Sequence, residues 1–157
     1  MTILATLCYI LNEDKILLQK KSKELFGGDK YNAPGGKLKP EESPLIGVIR
    51  EVLEETGLVV RNLQPMGKVY FYEPDWRTPS WEVYLFLTKD FQGELKQDYR
   101  EGSLEWIAKK DIPYEQMWED NKYFVPFILE GDYVEGRFYF KPDFKELIGF
   151  DVRKFTG

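Results

Sequence analysis

Between Gly36 and Leu58 the chain reads GKLKPEESPLIGVIREVLEETGL, and this stretch constrains the fold more than any other. Ser43 suits a helix N-cap, and Pro44 suits the first helical position, where no N–H is needed. Gly57 can take the left-handed conformation that ends a helix. The spacing therefore predicts one helix over Ser43–Thr56. At about 100° per residue, with Ile46 at zero, Leu53, Ile49, Val52 and Val48 spread over roughly 340° down to 200°. Glu54, Glu51 and Glu55 fall at about 80°, 140° and 180°. A core stripe thus adjoins a face of three carboxylates. Two local rules are broken there. Glu51 and Glu55 are like charges at i, i+4, and the acids sit toward the C-terminal end, where the macrodipole disfavours anions. Such violations mark a function completed by something outside the chain, most simply a divalent cation. Hard carboxylate oxygens suit Mg²⁺ or Mn²⁺. On spacing alone, a solvated acidic face fits as well.

At 157 residues, with 43% hydrophobic and 16% aromatic content, the chain reads as one domain, residues 1–157, with a real core. The net charge is −5 and no basic patch appears, which argues against duplex nucleic acid as a partner. An acidic protein that handles phosphates needs a cation to offset repulsion. The single cysteine, Cys8, allows no internal disulfide and reads as packing. There is no histidine. Any general base must be a carboxylate, a lysine or a water acidified by a metal. No pH limb near the histidine value of about 6.5 is expected. The apolar run Ile3–Leu11 is too short to span a membrane and has no cationic leader, so a soluble cytoplasmic protein is expected.

Ile3–Leu11 is apolar on both alternating faces, as in a strand buried on both sides. Lys15–Lys20 reads as its return strand after the turn Asn12-Glu13-Asp14. Ser22–Tyr31 is a polar loop, and Asn32-Ala33-Pro34-Gly35-Gly36 leads into the helix as a turn whose glycines permit close backbone approach. Beyond the helix, Leu58–Leu63, Lys68–Glu73, Trp81–Thr88 and Leu104–Ile107 read as strands, with a turn at Gln64–Gly67 and a polar connection over Lys89–Gly102. A second helix is expected at roughly Asp120–Glu130, with Pro126 delaying or kinking it. Tyr133–Lys141 and Glu146–Arg153 complete the strands. Many strands with two helices point to an α/β fold with a mixed sheet between helices.

Gly36, Glu42, Arg50, Glu51, Val52, Glu54, Glu55, Gly57 and Leu58 form the pattern G-x5-E-x7-R-E-U-x-E-E-x-G-U, with U a bulky aliphatic. It resembles the Nudix box without a mismatch. Nudix enzymes hydrolyse nucleoside diphosphates linked to another moiety, and their fold is an α/β/α sandwich with a central mixed sheet. The rest of the chain is similar to the MutT-type branch, which acts on oxidised purine nucleoside triphosphates. The shared features are Tyr31-Asn32, Glu101 followed by Trp106, Met117-Trp118-Glu119-Asp120, and the closing GRFYF and IGFDV.

The resemblance implies that Glu51, Glu54 and Glu55, the backbone carbonyl near Gly36, and Glu101 would hold Mg²⁺, with Mn²⁺ as a substitute. Arg50 would orient the carboxylates by bidentate contacts. Lys37 would reach a phosphate, unless it is simply solvated. Glu42 is either part of the site or a capping and loop residue. Phe26, Asn32, Trp81, Trp118, Asp120 and Asn121 would hold the base, with an ionised Asp120 accepting from a guanine edge and the Asn121 amide donating to O6. Glu51, Glu54 or an acidified water would handle the proton. Three features depart from the mammalian pattern: Asn121 replaces a second acid, Ala33-Pro34 alters the loop, and Trp81 replaces a methionine. The implied reaction is hydrolysis of a triphosphate such as 8-oxo-dGTP to monophosphate and pyrophosphate, in nucleotide-pool sanitation and so DNA repair. The rivals are dinucleoside polyphosphates, ADP-ribose, nucleotide sugars or capped RNA ends as substrates, or a nucleotide-sensing domain without turnover.

Overall fold

The first strand, β1 (Ile3–Asn12), shows how the layers form. In the computed structural model, which describes residues 1–22, 29–96 and 102–156, its side chains alternate between two separate cores. Ala5, Tyr9 and Leu11 enter one with Phe124, Val125 and Ile128. Cys8 and Ile10 enter the other with Val48 and Val52. A strand apolar on both faces is thus sandwiched between two helices, α1 (Pro44–Thr56) and α2 (Asn121–Leu129). The fold is an α/β/α sandwich.

Around β1 lie β2 (Lys15–Lys21), β3 (Tyr31–Asn32), β4 (Gly35–Lys37), β6 (Gln64–Tyr72), β7 (Trp81–Thr88), β9 (Gly102–Ala108), β10 (Tyr133–Phe140) and β11 (Leu147–Phe155). The main path is β11-β10-β6-β7-β1-β2-β3, with β4 paired to β1 and β9 to β2. The sheet is mixed, because β1 runs parallel to β7 and β10 parallel to β6, while the other pairs are antiparallel. A two-stranded sheet joins β5 (Val59–Arg61) to β8 (Asp90–Gln92).

α1 has the expected ends. The Ile46 N–H donates to Ser43 Oγ at 3.2 Å, and Gly57 takes φ 84° and donates to the Leu53 carbonyl. Its buried face differs from the expected one. Val48 and Val52 are fully buried, but Ile46 is 60% and Leu53 47% exposed. The buried arc instead takes in Gly47 and Thr56. A Cβ at Gly47 would meet Leu38 Cδ2 at 2.2 Å, so the segment after β4 covers that flank. Periodicity locates an apolar arc but not which edge of it a neighbouring element covers.

Other differences are local. The turn before the box contains β3 and β4. The expected turn at Gln64–Gly67 belongs to β6 and carries a register shift between Pro65 and Gly67. The strand expected at Leu58–Leu63 shrinks to β5 and leaves the main sheet. The polar connection contains β8. α2 starts with Asp120 at its N-cap and accommodates Pro126 in its interior.

Candidate active site

β4 pairs with β1 so that Gly36 lies opposite Thr6. The residue-free side of Gly36 is where Glu51 packs. A Cβ built there would meet Glu51 Oε2 at 2.4 Å, a separation that real Cβ atoms do not tolerate. Glycine is therefore what lets the helix carboxylate approach the β4 backbone.

Arg50 ties this acidic edge together. Its Nε and Nη2 donate to the two Glu42 oxygens at 2.7 and 2.8 Å, a two-point fork. Its Nη1 donates to Glu51 at 2.9 Å and Glu54 at 3.2 Å, and Nη2 also reaches the Lys37 carbonyl. The fork, together with the Lys39 N–H, holds the Glu42 carboxyl down at about 2, and the Glu42 bond raises the Arg50 guanidinium above its ordinary value. Glu42 is thus the counter-charge that anchors Arg50.

One cavity of about 950 Å³ is lined by Gly36, Lys37, Glu51, Glu54 and Glu55, and equally by Asn32, Trp81, Trp118, Asp120 and Asn121. Ten of the candidate residues, drawn from β3, β4, α1, β7 and the start of α2, therefore share one space. Arg50 stands behind it. Phe26 and Glu101 lie outside the described residues. Lys37 Nζ sits 5.7 Å above the Trp81 ring, and Asn32 Oδ1 accepts from the Ala33 N–H.

Several lining residues escaped sequence reasoning. Lys96 donates to the Glu54 carbonyl at 2.6 Å, where a cation complements the helix C-terminus. Lys30 Nζ lies 5.1 Å over the Trp118 ring. Phe71, Phe140 and Phe144 supply further aromatic wall. The alternation within the strands signals that Phe71 and Phe140 are inward, but not that they face a cavity.

Asp120 and Asn121 are 3% and 2% exposed. Burial pushes the Asp120 carboxyl from 3.8 to about 7, with the nearby Glu119 charge adding to the rise. Burial thus works against the ionised form expected of Asp120, and it moves a carboxyl toward neutrality in a chain without histidine. The Asn121 amide N–H₂ is also engaged, donating to the Trp118 carbonyl at 3.0 Å and toward Asp120 Oδ2 at 3.5 Å. Asn121 therefore offers an acceptor, Oδ1, rather than the expected donor. That oxygen and the Tyr9 hydroxyl are buried with no hydrogen-bond partner among the described residues. Burial also pushes the Cys8 thiol well above its usual range, as packing requires.

Among the described residues, no three Asp, Glu or Cys side chains form a ready metal cage. Glu51 and Glu54 each give one oxygen to Arg50. The donor chemistry fits a hard divalent cation nonetheless: three glutamates line one cavity, and the second Glu51 oxygen lies against the Gly36 backbone.

A family model described as NUDIX domain matches residues 1–128. An oxidized purine nucleoside triphosphate hydrolase from Danio rerio is 33% identical over 138 residues, covering 88% of this chain and 86% of the relative. A NAD-capped RNA hydrolase, NudC, from Vibrio parahaemolyticus is 34% identical over 105 residues, but these span 66% of this chain and only 38% of that protein. Among solved structures, a MutT protein from Bacillus halodurans superposes with a TM-score of 0.84 and 30% identity, covering 96% of this chain and 97% of its own.

Proposed function

As this chain belongs to the Nudix family and is a hydrolase of phosphoric anhydrides, we propose that it cleaves oxidised purine nucleoside triphosphates, 8-oxo-dGTP foremost, to the monophosphate and pyrophosphate. The observation that carries the reading is the buried Asp120–Asn121 pair in the same cavity as the acidic helix. The Asn121 oxygen is an acceptor in either state of its neighbour. With Asp120 ionised, the pair carries two acceptors, which suit the adjacent N1–H and exocyclic amine of a guanine-type edge. With Asp120 protonated, a donor and an acceptor suit an adenine-type edge. Trp118, Trp81 and Asn32 enclose the base, the family resemblance adds Phe26 to them, and the domain works in the cytoplasmic nucleotide pool.

Nudix hydrolases use divalent metal ions, and here Glu51, Glu54, Glu55, the Gly36 carbonyl and Glu101 would hold Mg²⁺, with Mn²⁺ as a substitute. Bound there, such a cation would neutralise the phosphate chain and acidify water. Arg50, anchored by Glu42, keeps Glu51 and Glu54 pointed into the site. Glu51 or Glu54 takes the proton from the attacking water. The water oxygen bonds to phosphorus as the bond to the leaving pyrophosphate breaks, roughly in line. Lys37 steadies the phosphate chain.

The test is pyrophosphate release with Mg²⁺, Mn²⁺ or chelator across 8-oxo-dGTP, an oxidised dATP, dGTP, ADP-ribose, a dinucleoside polyphosphate and NAD-capped RNA. The expected result is cation-dependent turnover with the highest kcat/KM for 8-oxo-dGTP. Preference for ADP-ribose or capped RNA would replace the substrate. Tight nucleotide binding without turnover would favour a sensing domain.

A further inference from the structure

We propose that the half of the main sheet left open beside α1 is the docking face for a second copy of this chain, which packs on it about a two-fold axis running along the strands between β6 and β10. In these strands Val69, Val134 and Phe138 enter the core under α2. Alternation sends Lys68, Tyr70, Glu135, Arg137 and Tyr139 to the opposite face. On that side α1 packs on β4, β1 and β5 and leaves β6 and β10 open. The Lys68 and Arg137 side chains are 36% exposed and that of Glu135 40%. Rings are interleaved with these charges. Lys68 Nζ lies 5.8 Å over Tyr70 and 5.3 Å over Tyr84, Arg137 stands 5.2 Å over Tyr70, and Tyr139 stacks on Tyr72 at 4.7 Å. Tyrosine and arginine are residues in which the cores of protein interfaces are enriched. The misplaced apolar stripe of α1 borders the same face. Its Glu51 flank turns to β4, on one side of β1. The opposite flank, with Ile46 and Leu53 exposed, turns to the β7 side, next to the exposed Leu4 of β1. The contact therefore leaves the carboxylate flank and the cavity free.

The charges identify the occupant. Lys68 pairs with Glu82 at 3.6 Å, Arg137 with Glu135 at 3.0 Å and Arg153 with Asp151 at 3.7 Å, so these six groups cancel. A polyanion such as single-stranded nucleic acid meets no surplus of cations there, on a chain of net charge −5. The strand register instead makes the face complementary to itself. Lys68 lies beside Glu135, Tyr70 beside Arg137 and Tyr72 beside Tyr139. A two-fold axis between those columns exchanges them, as an isologous interface requires. It sets Lys68 over Glu135 of the second copy and Tyr70 over its Arg137, repeating attractions that the chain already makes within itself. Glu82 and Asp151 approach as like charges, but Lys68 and Arg153 already neutralise them. The same axis sets the Ile46–Leu53 flank of α1 against the β11 edge of the second copy, so the helix borders the contact without blocking it. Four strands about 4.8 Å apart and roughly 26 Å long present about 500 Å² in projection. Side-chain relief and the α1 flank bring this near the roughly 800 Å² per partner of a standard interface.

The experiment is sedimentation velocity of the full chain over a range of concentrations, for the natural protein, Lys68→Glu, Glu135→Lys and the double variant. The natural chain should sediment as a species of twice 18.6 kDa as its concentration is raised. Each single reversal sets like charges opposite each other and should weaken dimerisation by about tenfold or more. The double variant exchanges the signs, keeps the net charge and should regain the dimer. Carbodiimide cross-linking of a mixture of unlabelled and ¹⁵N-labelled natural chains should join Lys68 of one copy to Glu135 of the other, a readout that needs no variant to fold. A monomer at every concentration, a dimer indifferent to both reversals, or mixed-isotope links confined to other residues would overturn the proposal. A monomer that binds a fluorescent oligothymidylate, and loses it in Lys68→Glu, would overturn it too and assign the face to single-stranded nucleic acid.

Discussion

Replacing Asp120 with asparagine removes one ionisation from a fully enclosed site, and the size of the effect follows from the carboxyl's displacement. Burial moves that group from 3.8 to about 7. Because the folded-state value is the higher one, folding takes up a proton between the two. The penalty on the folded state is absent below 3.8, grows as pH rises, and is complete above about 7. At 1.36 kcal/mol per unit, the full penalty is roughly 4 kcal/mol. Asp120→Asn keeps the shape and carries no charge, so its stability gain should follow the same curve. Urea unfolding of both proteins from pH 4 to pH 8 measures it. The difference should be under about 1 kcal/mol at pH 4 and approach roughly 4 kcal/mol at pH 8. The side-chain exchange itself adds a constant offset, so the pH dependence is the quantity that matters. An offset that stays flat across the range would refute the reasoning, because the carboxyl would then titrate alike in the folded and unfolded chain.

Glu54→Gln and Glu55→Gln leave the buried Val48–Val52 stripe untouched. Each should melt near the natural temperature while losing turnover by about two orders of magnitude or more, and near-normal kcat in either would remove that residue from the site. Gly36→Ala should lower kcat with little change in Tm, because the added Cβ displaces a Glu51 carboxylate that Arg50 otherwise pins; an unchanged KM for Mg²⁺ and kcat would show that this contact is dispensable. The kcat/KM ratio of 8-oxo-dGTP to an oxidised dATP should rise with pH through about 7 as Asp120 ionises, and a flat ratio would take Asp120 out of base reading. Asn121→Asp should narrow that ratio, by up to roughly tenfold above pH 7, since two adjacent acids share a proton and keep a donor on the pair to higher pH; an unchanged ratio would show that Asn121 does not read the base.

What the sequence determined by itself is what local chemistry controls. Helix α1 begins at Ser43 because a hydroxyl acceptor and a proline suit a helix start, and it ends at Gly57 because glycine takes the left-handed turn. The carboxylates share one helix edge because 3.6 residues per turn put them there, and β1 is central because it is apolar on both faces. Long-range geometry decided the rest. Ile46 and Leu53 stayed exposed because β4 and the segment after it cover the Gly47 flank of α1 instead, and no helical period contains that information. Lys96 reached the helix terminus from a distant connection, and β5 left the main sheet to pair with β8. The base-reading pair changed most. The letters Asp120-Asn121 suggest an acceptor beside a donor. The packed chain spends the amide on the Trp118 carbonyl and buries the carboxyl, which pushes it up toward neutrality. Ionisation depends on how much water a fold removes, and only the assembled layers around α2 set that amount.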